Sequence, residues 1–220
     1  MENLAPNNKR IVKNTLLLYV RMLFLMVVSL YTSRVVLNAL GIEDFGIYNV
    51  VGGMVAMFSM LSGSLSAAIT RFITYELGRG DREKLRTIFS SAVTIQLGLA
   101  AIIIILAEVL GIWFLNSKMT IPLDRLAAAN WVFQFSVLTF AINLVSVPYN
   151  ASIIAHERMS AFAYISIFEA VGKLAIAYLI TISPIDRLVF YAILMCAVAL
   201  IVRFTYGIYC KRHFEECMYH

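Results

Sequence analysis

Charged side chains stand inside long apolar stretches of this sequence, and their spacing limits the chemistry that they could do. Glu169 and Lys173 are four residues apart, in the order that favours an ion pair on a helix. Ionisable groups are costly in hydrocarbon and commonly mark functional sites. The pair could neutralise itself between helices, or it could line a transport path as a charge or proton-coupling site. Both interpretations stay open.

A second group of polar residues shares one face of the first apolar stretch. Asn14, Arg21 and Thr32 fall within about 20° of one another at ~100° per helical residue. Arg21 could therefore face a polar cavity and bind an anionic group. Alternatively, its long side chain could reach back to the headgroups at the nearer membrane surface.

A third polar face lies on the fourth apolar stretch, where hydroxyl and amide side chains recur at helical spacing. Such a face could line a water-filled cavity or form hydrogen bonds to a neighbouring helix. The amides Asn143 and Asn150 are its candidate cavity residues. The predicted translocation site therefore comprises Asn14, Arg21, Thr32, Asn143, Asn150, Glu169 and Lys173.

The sequence gives little support for metal binding, a disulfide framework or catalysis. The three histidines are scattered without metal-ligand spacing, and the three cysteines fit no disulfide framework. We therefore expect no metal and no cofactor. The predicted external loops are too short to present a catalytic cluster, so we do not expect an enzyme.

Six apolar segments must position these residues, and they predict an all-α, polytopic membrane protein. About 20 helical residues cross a ~30 Å hydrocarbon core, and only helices satisfy their own backbone at such a length. The chain is 61% hydrophobic and 14% charged, which agrees with this class. The fourth segment is expected to end near Pro148. The segments are 15–37, 47–69, 85–115, 126–147, 161–182 and 188–209.

The basic residues alternate between the two sides of the predicted bundle. Eleven of the 18 fall in ends and loops on one side, and four on the other. The positive-inside rule then places both termini in the cytoplasm. This distribution explains the net charge of +5 and argues against nucleic-acid binding. The predicted organisation is a cytoplasmic tail (1–14), a six-helix bundle (15–209) and a second cytoplasmic tail (210–220).

The second segment is rich in small residues, which let helix backbones approach closely. We expect it to pack tightly against a neighbouring helix. These residues are Gly52, Gly53, Ala56, Ser59, Ser62, Gly63, Ser66 and Ala67.

Three patches of sequence resemble one family of membrane transporters. Residues 37–48 read LNALGIEDFGIY and are similar to the LG-x-(D/E)-(F/Y)-G-(I/L)-Y turn of polysaccharide-biosynthesis flippases. Residues 66–73 (SAAITRFI) with 76–81 (ELGRGD) resemble the end of the second span of these flippases and the loop after it. Residues 147–151 (VPYNA) with 154–159 (IAHERM) resemble the junction between their fourth and fifth spans. The flippases belong to the multidrug/oligosaccharidyl-lipid/polysaccharide (MOP, MATE-like) exporter superfamily.

This resemblance implies a fold of two six-helix lobes that rock around a central cavity, of which this chain would supply the N-terminal lobe. It implies the flipping of an undecaprenyl-pyrophosphate-linked oligosaccharide across the bacterial inner membrane, for polysaccharide or lipopolysaccharide biosynthesis. A cationic cavity would suit that head group, and Arg21 and Lys173 could supply the charge. We expect a half-length or truncated form that pairs with a second lobe or with a parallel second copy of itself.

Two other functions stay open at the level of sequence. The chain could be a cation-coupled exporter of drugs or metabolites with the same fold, for which Glu169 could serve as the coupling acid. It could also be a membrane scaffold fragment that transports nothing.

Overall fold

The computed structural model describes residues 4–119, 121–183 and 185–217, with the side chains of 4–10 and 60–62 outside that description. The outermost residues of both predicted tails, 1–3 and 218–220, lie outside it as well. The described residues form helices and no strand. The α-helices are α1 (Leu4–Leu40), α2 (Ile42–Ala56), α3 (Ser59–Arg79), α4 (Arg82–Leu106), α5 (Ile112–Ser117), α6 (Leu126–Ala155), α7 (Met159–Leu179) and α8 (Arg187–His213).

Five helical stretches of the described chain are long and apolar enough to cross a membrane. They are Ile11–Leu40, Arg82–Ser117, Leu126–Ala155, Met159–Ile182 and Arg187–His213. The all-helical membrane fold is thus confirmed, whereas six spans are not. Residues 4–14, predicted as a tail, are the first turns of α1. The cytoplasmic location of either end stays a prediction.

The missing sixth span is the second apolar segment, which the structure divides between α2 and α3. Met57 and Phe58 keep right-handed helical backbone angles, so a local tightening joins the two helices. The amide of Phe58 donates to the carbonyl of Val55 at 3.1 Å, three residues back instead of four. The hydroxyl of Ser59 donates to the carbonyl of Ala56 at 2.6 Å and so competes with the backbone hydrogen bonds of a regular helix.

Three glycines of this segment have no close neighbour in the described chain, although α2 and α3 themselves pack against α6. At Gly52, Gly53 and Gly63, an added Cβ would meet no atom within 4 Å. The expected close helix contact is therefore absent at these three glycines. The side chain of Ser62, in the same predicted set, lies outside the described residues.

A π-helical turn, Ala107–Gly111, joins α4 to α5 and makes one continuous apolar rod of Arg82–Ser117. Gly111 sits where the ring of Phe133 on α6 reaches the backbone. An added Cβ would lie only 2.2 Å from that ring. The extra residue in the π turn thus accompanies a close crossing of the α4–α5 rod and α6.

Helix α6 forms the centre of the bundle and packs against α2, α3, α4 and α8. The prediction that it ends near Pro148 is wrong, since it continues to Ala155. Proline lacks the N–H that would bond one turn back. The helix continues through this position, and in the following turn the hydroxyl of Ser152 donates to the carbonyl of Pro148 at 3.1 Å. Helix α1 packs chiefly on α7, and α7 in turn packs on α8.

An ion-pair clasp holds together three connections at the predicted external end. The guanidinium of Arg125, just before α6, donates through Nε to Asp44 at 2.8 Å and also through Nη2 to that carboxylate. Its Nη1 donates to Asp186 at 2.5 Å. Asp186 also accepts from the backbone amides of Leu188 and Val189, which caps α8. The clasp fixes the starts of α2, α6 and α8 relative to one another.

Candidate functional site

A polar cavity of about 370 Å³ lies among α1, α2, α7 and α8, and we call it the central cavity. Four of the seven predicted site residues line it. Arg21 and Thr32 come from α1, and Glu169 and Lys173 come from α7. The strong packing of α1 on α7 brings these two faces together, although about 150 residues separate them in sequence.

Glu169 and Lys173 form the ion pair that their spacing predicts. Lys173 Nζ lies 2.6 Å from Glu169 Oε1. The two side chains remain 34% and 40% exposed, so the pair opens into the cavity and is not sealed between helices. Its role in transport stays a prediction.

Arg21 has no acidic partner among the described residues. Its guanidinium lies over the ring of Phe162 on α7, with 4.3 Å between the guanidinium carbon and the ring centroid. Its Nε is buried without a hydrogen-bond partner in the described chain. Arg21 is ten residues, or roughly 15 Å, beyond Ile11, where the apolar stretch begins. Arg21 lines the central cavity, but Phe162 is the fourth residue of α7, at the predicted cytoplasmic end, so both interpretations of Arg21 stay open.

The central cavity is electropositive by the balance of its charged groups. Three of its lining residues are charged: Arg21, Glu169 and Lys173. The charges of Glu169 and Lys173 cancel, so the positive charge of Arg21 remains. Hydroxyl and amide groups line the same cavity. They come from Ser29, Thr32, Ser33, Tyr48, Asn49, Ser166 and Tyr191. This arrangement can bind an anion through one guanidinium and several neutral donors.

Sequence reasoning did not select two tyrosines at the far wall of this cavity. The rings of Tyr48 on α2 and Tyr191 on α8 meet edge to face, with centroids 4.7 Å apart. Tyr48 belongs to the 37–48 patch, which was used as a family signature and not as a source of lining residues. Tyr191 offered no signal, because its contact with Tyr48 depends on packing between distant segments.

The three remaining predicted residues are not in the central cavity. Asn143 lines a second cavity of about 260 Å³ between α2, α6 and α8, which shares Tyr48 with the first. Asn14 and Asn150 line neither cavity. Asn150 is half-buried, and its Oδ1 has no hydrogen-bond partner in the described chain. The residues predicted to form one site therefore divide between two adjoining cavities, and Asn14 and Asn150 line neither of them.

Comparisons with known proteins agree with this architecture. The family model described as MatE matches residues 19–179, which is well over half of the chain. A curated relative, the uncharacterized membrane protein EpsK of Bacillus subtilis (strain 168), is 22% identical over 124 residues. That match covers 56% of this chain and 24% of the relative, so the chain aligns with about a quarter of its length. No solved structure matches the chain significantly.

Proposed function

Since this chain belongs to the MatE family, whose members are transporters rather than enzymes, we propose that it helps to move a lipid-linked oligosaccharide across a membrane. The substrate class is an undecaprenyl-pyrophosphate-linked sugar unit. The membrane is the bacterial cytoplasmic membrane, with both ends of the chain on the cytoplasmic side. Multi-pass membrane insertion itself follows from the apolar helices and the family.

The observation that carries this proposal is the uncompensated charge of Arg21 in the central cavity. A guanidinium matches the geometry of phosphate oxygens and stays charged when desolvated. The surrounding hydroxyls could bind further phosphate or sugar oxygens. A cationic drug would meet repulsion from the same charge, so the cavity favours an anionic cargo.

The transport unit needs a second wall for this cavity. Glu169 and Lys173 remain partly exposed, and charged groups in a bilayer must face protein or water. We propose that a second six-helix lobe, or a parallel second copy of this chain, covers the open side. The two halves would rock around the cavity to expose it alternately to either side.

Substitution of Arg21 tests the proposed cargo. The chain is reconstituted into liposomes with its second half, or as the dimer, and translocation of a fluorescent lipid-pyrophosphate-linked sugar is recorded. Arg21→Ala should lower the rate roughly 10- to 100-fold, because one charge-assisted hydrogen bond contributes about 1.5–3 kcal/mol. Arg21→Lys should retain part of the rate. Arg34→Ala removes an exposed cation from the same helix and should leave the rate unchanged.

Insertion into the membrane is measured in parallel for all four proteins. Equal insertion with lost translocation supports a cavity role for Arg21. Unchanged translocation by Arg21→Ala contradicts the proposal, and failure to insert assigns Arg21 a structural role.

A cation-coupled exporter is the second candidate, and the carboxylate of Glu169 inside the cavity favours it. A coupling acid must gain and lose a proton or sodium ion during the cycle. The same liposomes are therefore assayed with and without proton and sodium gradients. Gradient-dependent export of a cationic dye would favour the exporter, whereas gradient-independent flipping of the lipid-linked sugar would count against coupling at Glu169.

A further inference from the structure

The second cavity adjoins the central cavity but differs from it in chemistry. Its volume is about 260 Å³, and Tyr48 on α2 lines both cavities. None of the described residues that line the second cavity is charged. Arg21 gives the central cavity a positive charge, whereas the second cavity offers no cation to a phosphate group. The second cavity therefore suits a neutral ligand.

The polar wall of the second cavity comes chiefly from one face of α6. Ser136, Thr139 and Asn143 follow one another at helical spacing and line the cavity together, and Ser59 adds a hydroxyl from the start of α3. Asn143 is exposed, and its amide can both donate and accept hydrogen bonds. A ligand in this cavity thus meets hydroxyl and amide groups from two helices.

Two of these hydroxyls have only lone pairs to offer a ligand. The hydroxyl of Thr139 donates to the carbonyl of Phe135 at 2.7 Å, and that of Ser59 donates to the carbonyl of Ala56 at 2.6 Å. A hydroxyl has one hydrogen, so each of the two oxygens can only accept from a ligand. An ionised phosphate also presents lone pairs and would find no donor at either oxygen. The O–H donors of a sugar match them.

Aromatic rings and small residues form other parts of the wall. Tyr48 and Phe140 line the cavity, and aromatic side chains commonly pack against the apolar faces of ligands. Gly52 and Ala56 on α2 also line it, and an added Cβ at Gly52 would meet no atom within 4 Å. The small residues of α2 therefore leave space here. Pockets for drug-sized ligands have about 300–1,000 Å³, so this smaller cavity suits a single sugar ring.

We propose that the second cavity binds the first sugar of the lipid-linked cargo while the central cavity binds its pyrophosphate. The first sugar is bonded directly to the pyrophosphate, so the two groups need adjoining sites, and the two cavities that share Tyr48 supply them. This inference rests on the proposed function, because it assigns two parts of the proposed cargo to two cavities. The second cavity then selects the cargo by its sugar, through Ser59, Thr139 and Asn143.

Binding of matched lipids tests this assignment with the full chain in nanodiscs, together with its second half or as the dimer. The probes are undecaprenyl pyrophosphate alone and the same lipid carrying one glucose, one galactose or one N-acetylglucosamine. Each probe displaces a fluorescent prenyl pyrophosphate, which gives its affinity. We expect at least one sugar-bearing lipid to bind roughly tenfold or more tightly than the bare lipid, because each neutral hydrogen bond contributes roughly 2- to 10-fold.

Gly52→Leu fills the second cavity, and Gly53→Leu is its matched control. Both glycines are in α2, and an added Cβ at either would meet no atom within 4 Å. Gly52 lines the second cavity, whereas Gly53 lines neither cavity. Gly52→Leu should abolish the preference for the sugar and leave the affinity for the bare lipid unchanged. Gly53→Leu should keep the wild-type preference.

Asn143→Leu tests the same site without filling it, and it serves if Gly52→Leu fails to insert. It removes the amide at nearly constant volume and should lower the preference for the sugar roughly 2- to 10-fold. Arg21→Ala should weaken binding of the bare and the sugar-bearing lipids by the same factor, because all of them carry the pyrophosphate.

The outcomes separate this inference from the proposed function. Equal wild-type affinity for all four lipids would overturn the sugar site, and the proposed cargo would still stand if Arg21→Ala weakened binding of each. A preference that survives in both Gly52→Leu and Asn143→Leu would also overturn the assignment. Failure of the wild type to bind any of the four lipids would contradict the proposed function and this inference with it.

Discussion

The charged residues of the membrane-spanning helices differ in how their charge is compensated. Lys173 has Glu169 one turn away, whereas Arg21 has no acidic partner within the described part of the chain and lies over the face of the Phe162 ring. An aromatic face stabilises a cation without neutralising it. Arg21 can therefore attract an anion that Lys173 attracts less strongly.

The Glu169–Lys173 pair predicts strong coupling between its two substitutions. Glu169→Gln alone leaves the lysine charge without its partner, and Lys173→Met alone leaves the carboxylate, so each should lower thermal stability. The double substitution should cost less than the sum of the two, with a coupling free energy of roughly 1 kcal/mol or more. Thermal unfolding of the four proteins in detergent measures this cycle. Simple additivity would show that the contact contributes no stability.

The helices are held in place by different devices at the two ends of the bundle. The clasp of Arg125 with Asp44 and Asp186 ties three helix starts together at one end. The turn Glu215–Cys217 packs against α4 and α8 at the other. The helices depart from regular geometry at two places, the tightening between α2 and α3 and the π turn after α4. At the π turn, Gly111 allows the close crossing with Phe133.

Removal of the clasp should lower stability in a pH-dependent way. Burial alone would raise the pKa of Asp186, but hydrogen bonds from Arg125 and the α8 amides outweigh it and hold that pKa below its ordinary value. Its contribution is thus complete above about pH 4, the ordinary aspartate range, and is lost as the pH falls through the lowered value.

Arg125→Ala should therefore lower the Tm near pH 6 by roughly 2–4 °C for each kcal/mol of stability lost, and the difference from wild type should shrink at acid pH. Scanning fluorimetry at several pH values measures it. Lys118→Ala, which removes another basic side chain at the same predicted end, should change the Tm little. An equal loss in both variants would mean that the clasp adds no specific stability.

At the scale of the molecule, the bundle leaves one of its longest apolar helices largely uncovered. No residue in the apolar 18-residue window of α1 is buried, and the central cavity beside it holds charged groups that remain partly exposed. Lipid can cover the apolar surface of α1, but it cannot solvate Glu169 and Lys173. The arrangement favours a second protein wall over the cavity.

Native mass spectrometry of the purified chain in mild detergent tests this expectation. We expect a dimer, or a complex with a co-purifying second lobe. The paired substitution Glu169→Gln with Lys173→Met makes the cavity lining less polar and should shift the protein towards monomer. A stable monomer in the wild type would contradict the need for a second wall, and a dimer unaffected by the paired substitution would place the interface elsewhere.

The sequence by itself determined the class of this protein, because hydrocarbon admits only helices that satisfy their own backbone. It also determined which face of a helix carries Arg21 and Thr32, and that Glu169 can reach Lys173, because helical periodicity is local. Tertiary structure alone decided that α1 and α7 lie together and so combine these residues in one cavity with Tyr48 and Tyr191. It separated Asn143 from them and placed it in the second cavity. Such contacts depend on packing between segments far apart in the chain, which local spacing does not encode.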